Sequence, residues 1–244
     1  MRILALDSTA KVASAALSED GRLLGLYQTD SGRTQSEVLL PMIEHLLKTH
    51  RLTVGDIDLF AVTVGPGSFT GVRIGVATVK GLAFGRGTPC CVGVSTLRAL
   101  AENLKGLRGI LCPVMDARRA QVYNALFRSD GEHITRLCDD RAIGIGALLT
   151  ELATFDEPIH LVGDGYALVL EKARAAGLAI GDTPPLLREE NAFSCAAVAY
   201  EMYQRGEVTD DASLASVYLR LPQAERERLE RLEQSPEGAD MGKD

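Results

Sequence analysis

Gly65-Pro66-Gly67-Ser68-Phe69-Thr70-Gly71-Val72-Arg73-Ile74-Gly75 is the stretch of this 244-residue chain that decides its fold. It follows an apolar run typical of a buried strand and precedes a pattern typical of an amphipathic helix, so it predicts a strand-loop-helix unit. Glycines continue inside the predicted helix, although each interior Gly costs about 1 kcal/mol relative to Ala. Another contact must therefore offset this cost.

The glycines of the predicted helix share one face. At the spacing of an α-helix, a single arc contains Gly71, Gly75, Thr78, Gly81 and Gly85. A helix face that lacks side chains lets another backbone approach closely. The spacing leaves open whether that backbone belongs to the same domain or to a partner.

Composition excludes several classes of protein. A net charge of −7 opposes unaided binding of nucleic acid, because phosphate contacts need clustered Lys and Arg. Five cysteines without a C-x-x-C motif predict neither a disulfide framework nor a zinc site, which indicates a cytoplasmic protein. No apolar run approaches the roughly 20 residues of a membrane span, and the N-terminal apolar run is too short for a signal peptide.

The order of predicted elements occurs twice along the chain. Each half is predicted to contain three strands, a helix, a strand and a helix, with an Asp at the end of its first strand, Asp7 or Asp116. Each half also has a later strand that runs into a glycine loop, 65–67 or 163–165. The repeat predicts an N-terminal lobe over 1–107, a C-terminal lobe over 108–222 and a charged tail over 223–244.

Anion-binding chemistry is predicted where the two lobes would face each other. The candidate residues follow strands or begin a helix, where backbone N–H groups favour anions: Asp7, Ser8, Thr9, Gly65, Gly67, Ser68 and Asp116. Two structural interpretations stay open, namely that the Asp residues brace turns and that the glycines supply unusual dihedral angles.

Catalytic and metal-binding patterns are weak in this sequence. Gly93-Val94-Ser95-Thr96-Leu97 lacks the last glycine of a nucleophile elbow, and Ser95 is better interpreted as a helix cap. His45 and His50 are five residues apart, so one helix face cannot present both to a metal. We therefore predict no catalytic residue and no metal site.

The glycine stretch resembles the signature of the TsaB family, in the superfamily of actin, Hsp70 and sugar kinases. The resemblance continues through Asp116-Ala117-Arg118-Arg119 and Val217-Tyr218-Leu219-Arg220 and covers about residues 1–221. It implies an α/β fold: a duplicated, actin-like (ribonuclease H-like) two-lobed fold with mixed sheets and flanking helices.

The resemblance also implies a function and partners. It implies a non-catalytic partner of TsaD in threonylcarbamoylation of the tRNA adenosine beside the anticodon, with recruitment of TsaE, contact with tRNA only through the complex, and a homodimer when TsaD is absent. No cofactor is expected, apart from ATP or ADP at a subunit contact. The implied partner interface contains Leu39, Ile43, Gly71, Arg73, Ile74, Gly75, Thr78, Gly81, Leu82 and Gly85. A bulky residue at Gly75 is expected to break assembly and leave the monomer folded.

Two functions from other classes remain as alternatives. An independent ATP-binding kinase or ATPase would use Asp7 and Asp116, but the second lobe is short for an adenine pocket. A peptidase would need a nucleophile or metal site that the sequence does not indicate.

Overall fold

The computed structural model describes residues 1–220, so the predicted tail at 223–244 lies outside the described residues. The first lobe contains β1 (Arg2–Asp7), β2 (Ala13–Glu19), β3 (Arg22–Thr29), α1 (Gln35–Thr49), β4 (Leu59–Gly65), α2 (Phe69–Ala83), β5 (Cys91–Ser95) and α3 (Thr96–Glu102). Its sheet has the order β3-β2-β1-β4-β5. β1 pairs antiparallel with β2 and parallel with β4, so β1 joins the hairpin to the crossover strands.

The second lobe repeats this plan with five strands, rather than the predicted three, before its first helix. It contains β6 (Arg108–Asp116), β7 (Gln121–Asn124), β8 (Phe127–Asp130), β9 (Ile134–Arg136), β10 (Arg141–Gly144), α4 (Ile145–Leu152), β11 (Ile159–Val162), α5 (Tyr166–Ala175) and α6 (Ala192–Gln204). β6 pairs antiparallel with β7 and β8 and parallel with β11, as β1 does with β2 and β4. The chain leaves the ladder near Leu126, whose N–H donates to Cys138 Sγ, so that β7 and β8 are separate strands.

Local sequence signals account for the first lobe's elements. Asp20 and Gly21 both have positive φ, as a tight hairpin turn requires. Glu37 accepts hydrogen bonds from the Thr34 N–H and hydroxyl, and this capping box begins α1. Ser95 Oγ accepts from the Arg98 N–H at the start of α3, as predicted.

The last helix of each lobe packs across the boundary between the lobes. Leu97 and Leu100 of α3 lie in one apolar cluster with Leu111 and Phe127 of the second lobe. α6 instead packs on the first sheet, in a cluster that contains Ile3, Ala5, Val92, Cys195, Val198 and Ala199. Each lobe therefore packs against a helix that belongs to the other lobe. The predicted boundary at 107/108 stays a prediction.

Candidate functional site

Two glycines fix helix α2 to the turn between β1 and β2. A Cβ on Gly71 would overlap the carbonyl oxygen of Ser8, and a Cβ on Gly75 would lie 2.5 Å from Ser8 Oγ. The Ser8 hydroxyl donates to the Gly71 carbonyl oxygen at 2.8 Å, and Ser68 Oγ caps the helix by accepting from the Gly71 N–H. Close packing inside the chain therefore offsets the cost of these two glycines.

This contact corrects part of the predicted partner interface. Gly71 and Gly75 are buried, so neither offers surface to a partner. Leu39 and Ile43 of α1 are buried as well, because they pack in the core of the first lobe. The expectation that a bulky residue at Gly75 leaves the monomer folded is wrong, because its side chain would displace Ser8.

The opposite side of α2 is open. Ala77 and Gly81 are exposed, and Ile74 is half-buried. Phe84 caps the C-terminus of the helix with 80% of its surface exposed. We call Ile74, Ala77, Gly81 and Phe84 the outer face of α2.

The remaining predicted interface residues lie beside the outer face or beyond the helix. Arg73 is exposed, and Thr78 and Leu82 are half-buried. Thr78 Oγ1 donates to the Ile74 carbonyl oxygen at 2.8 Å. α2 ends at Ala83, so Gly85 lies beyond the helix. Gly85 also has φ +77° and therefore does not belong to a helical stripe.

The chain from 208 to 220, here called the strap, runs along one side of α2. Thr209 exchanges backbone hydrogen bonds with Cys91, and the Val217 N–H donates to the Val64 carbonyl oxygen at 2.7 Å. Leu214 is buried in the core of the first lobe. At its end the strap crosses to the second lobe, where Arg220 Nη1 donates to the Ala117 carbonyl oxygen at 3.0 Å.

Both charged residues of α2 bind the strap. Lys80 Nζ donates to the carbonyl oxygens of Ala212 and Leu214, each at 3.0 Å. Arg73 Nε donates to the Tyr218 hydroxyl at 3.1 Å, and its guanidinium lies 3.8 Å from the centre of the Phe69 ring. Hydrogen bonds to the strap therefore hold the Arg73 and Lys80 side chains beside α2. The outer face carries no charged residue.

A cavity of about 430 Å³ lies between the two lobes. Four of the residues predicted to bind an anion line it: Thr9, Gly67, Ser68 and Asp116. Its wall also contains residues that the anion prediction missed: Lys11, Arg118, Tyr123, Asp164, Tyr218 and Arg220. The family signature had marked Arg118 and the 217–220 segment, but sequence patterns alone do not show that a distant strap closes a cavity.

The other three predicted anion-binding residues do not line this cavity. Ser8 is buried against α2, and the carbonyl oxygen of Val217 covers Gly65. Asp7 is 1% exposed, and its Oδ1 accepts from Thr9 N at 2.9 Å and from Thr9 Oγ1 at 2.7 Å. Burial raises the pKa of Asp7 to about 6, against the lowering effect of the Thr9 hydrogen bonds.

The hairpin turn and the glycine loop touch each other on the first-lobe side of the cavity. The Ser68 N–H donates to the Thr9 carbonyl oxygen at 2.6 Å, so the amide predicted to bind an anion is occupied. A Cβ on Gly67 would lie 2.5 Å from the same oxygen. The hairpin turn and the glycine loop are therefore in direct contact, where phosphate groups would need space. ATP or ADP at a subunit contact stays a prediction.

The second-lobe side is a charged turn. Asp116 accepts from the Arg118 N–H at 2.7 Å and lies 3.2 Å from its guanidinium. The Asp116 N–H donates to Asp164 at 2.9 Å, and burial raises the pKa of Asp164. Arg118, Arg119 and Ala120 all have positive φ, a conformation that costs non-glycine residues about 1–2 kcal/mol each.

Comparison with known proteins identifies the family of this chain. Residues 21–213 match the family model described as TsaD, tRNA N6-adenosine threonylcarbamoyltransferase. The tRNA threonylcarbamoyladenosine biosynthesis protein TsaB of Escherichia coli is 31% identical, over 90% of this chain and 95% of that protein. The Bacillus subtilis TsaB is 30% identical, over 94% and 99%.

A solved structure has the same fold. The Pseudomonas aeruginosa protein described as similar to the peptidase YeaZ superposes with a TM-score of 0.74 at 27% identity, over 90% of this chain and 99% of that chain. The predicted duplicated actin-like fold is confirmed by this match together with the repeated sheets. The chain therefore belongs to the TsaB family.

Proposed function

We propose that this protein is a non-catalytic subunit in the biosynthesis of threonylcarbamoyladenosine beside the tRNA anticodon, and that it binds TsaD through the outer face of α2. The names of its relatives support the pathway. The match to the TsaD family model supports a shared fold with the catalytic partner.

One observation supports this docking surface: the outer face of α2 is open and uncharged, and α1 and the strap also expose large apolar side chains. Phe84, Leu40, Val217 and Tyr218 are 80%, 56%, 48% and 40% exposed. Leu40 lies on the side of α1 away from His45, which contacts Tyr27 on β3. Small residues on the outer face let a partner helix approach closely. The exposed apolar side chains add to the area that such a partner can bury.

The side chains of the first lobe support a non-catalytic role. The first helix, residues 35–49, contains His45 as its one histidine, so it offers no pair of histidines to a catalytic metal. Asp7, the acid that an ATP-using relative would employ, is buried and bonded to Thr9. We also propose that contact with tRNA occurs only through the complex, because a net charge of −7 opposes unaided binding of nucleic acid.

The proposal includes three further properties. The outer face of α2 is also the surface for a homodimer when TsaD is absent, TsaE joins the assembled pair, and the protein acts in the cytoplasm. Among residues 1–220, no helix has both the length and the apolar character needed to cross a membrane.

The test is a charge placed on the outer face. Ala77→Arg keeps a good helix former at an exposed position and should weaken binding to purified TsaD by more than about 100-fold, measured by calorimetry. The matched control is Ala167→Arg on α5, also exposed, which should change binding less than about 2-fold. Thermal unfolding verifies that both variants are folded.

Two results would count against the proposal. If both variants bound TsaD equally well, TsaD would not bind the outer face of α2. Magnesium-dependent ATP turnover by the purified chain, lost in Asp7→Ala, would instead support the alternative of an independent ATPase or kinase.

A further inference from the structure

Residues 187–192 form the crossing that leads from the second lobe into α6, which packs on the first sheet. Both lobes bind this crossing through its backbone. The hydrogen bonds are Gly163 N–H to Arg188 O at 2.7 Å, Asn103 Nδ2 to Glu189 O at 2.7 Å, Gln28 Nε2 to Glu190 O at 3.0 Å and Ala192 N–H to Ser14 Oγ at 2.5 Å. Any relative movement of the lobes must therefore disturb this segment.

The crossing carries a carboxyl group without a partner. Glu190 is 0% exposed, and neither of its carboxylate oxygens has a hydrogen-bond partner among residues 1–220. Asp7 is buried nearby, and its Oδ2 also lacks a partner in the described chain. Asp7 and Ser14 are cross-strand neighbours, and Ser14 anchors the residue two positions after Glu190.

The charges around Glu190 do not compensate it. Burial raises the pKa of Glu190 well above its ordinary value, and the charges of Asp7, Asp164 and Glu189 raise it further, whereas its own backbone N–H acts in the opposite direction. The buried thiol of Cys195 on α6 also lies near Asp7. Lys11 and Arg188 act on Asp164 or Glu189, at the rim of the cluster. An ionised Glu190 would thus be a buried charge with no partner.

We propose that Glu190 carries a proton at neutral pH, and that loss of this proton to solvent loosens the crossing between the lobes. A neutral carboxylic acid fits a dry junction, whereas a carboxylate must draw in water or a cation by opening it. The junction is thereby a proton-dependent lock on the two lobes that form the cavity.

The sign of the pH effect follows from the raised pKa. The folded protein binds this proton more tightly than the unfolded chain, so stability is lost as pH rises through the raised pKa of Glu190. The pKa of Asp7 is raised to about 6, so Asp7 is already ionised at the alkaline pH where Glu190 is tested.

The experiment compares Glu190→Gln with wild type in thermal unfolding at about pH 6 and about pH 9. Gln keeps the shape of the protonated acid, so the variant should melt about 3–6 °C above wild type at the alkaline pH, with a much smaller difference at the acidic pH. Glu171→Gln, at an exposed position of α5, is the control and should follow wild type. A difference that is the same at both pH values would overturn the proposal.

Two further measurements keep the test decisive. The infrared spectrum of the wild type at about pH 8 should show a protonated carboxylic acid, since Asp7 is ionised there. Absence of that band would overturn the proposal even if Glu190→Gln failed to fold. Magnesium and a chelator should leave the wild-type melting temperature unchanged at about pH 9, and stabilisation by magnesium would mean that a metal ion, not a proton, neutralises the cluster.

Discussion

The two lobes place a helix after the same strand and glycine loop, yet the surfaces of those helices differ. On α5 the solvent side carries Glu171, Lys172 and Arg174, the usual composition of a hydrated helix. On α2 the corresponding side carries Ala77 and Gly81. The same architecture therefore carries a charged outer side on one helix and a small, uncharged one on the other.

The inner sides of the two helices differ as well. α5 packs through Tyr166, Val169 and Ala173, whose side chains separate the helix from its sheet. α2 packs through Gly71 against the backbone of Ser8 and through Gly75 against the Ser8 side chain. The comparison shows that glycine has two uses on one helix, close internal packing on one side and an open surface on the other.

The largest expected effect separates these two uses. Gly71→Ala should lower the free energy of unfolding by about 3 kcal/mol, because its Cβ would overlap the Ser8 carbonyl oxygen. Gly81→Ala, the same change nearly three turns further on, should raise it by about 1 kcal/mol, since a Cβ there meets no atom within 4 Å and Ala favours the helix. Denaturant unfolding of both variants gives the answer. Similar values for the pair would contradict the packing of α2 on the hairpin turn.

Much of this comparison is visible in the sequence. Apolar periodicity, the Asp-Gly turn and the repeated glycine loops predict the strands, the first helix and the duplication, because each is a local pattern. The arc of small residues is also local. Which part of that arc faces inward depends on Ser8, about 60 residues away, and the sequence contains no signal for that contact.

The candidate site was harder to predict for the same reason. The strap places Tyr218 beside Arg73 and Arg220 beside Ala117, contacts that span 145 and 103 residues. Burial of Asp7 and Glu190 likewise arises only when α6 of the second lobe covers the first sheet. Local patterns could mark these residues as unusual but could not show their environment.

An effect of intermediate size is expected from the different burial of the two aspartates that end the first strand of each lobe. Asp116 accepts from Arg118 and has 30% of its side chain exposed, whereas Asp7 is buried with its pKa raised to about 6. Because the folded state holds the Asp7 proton more tightly, its contribution to stability is present below about pH 4 and is lost as pH rises through about 6. Relative to Asp7→Asn, whose amide oxygen can still accept from Thr9, wild type should lose about 3 kcal/mol over that range.

Unfolding of wild type and Asp7→Asn in a series of buffers measures this difference. Parallel stability curves for the two proteins between about pH 4 and about pH 7 would show that Asp7 is not desolvated in the folded state. The first lobe would then resemble the second at this position, and the contrast between the two aspartates would fail.

The smallest effect concerns the turns that follow those aspartates. Ala120 has φ +55°, the third successive positive φ in the second lobe's turn, while Ala10 in the first lobe's turn has no such conformation. Ala120→Gly should therefore raise the free energy of unfolding by about 0.5–1 kcal/mol, because glycine adopts a positive φ without steric cost. Ala10→Gly should lower it by a similar amount, through the added freedom of the unfolded chain. Stabilisation by both substitutions, or by neither, would show that the two turns have the same backbone requirement, and the strain at the cavity wall would then not distinguish the lobes.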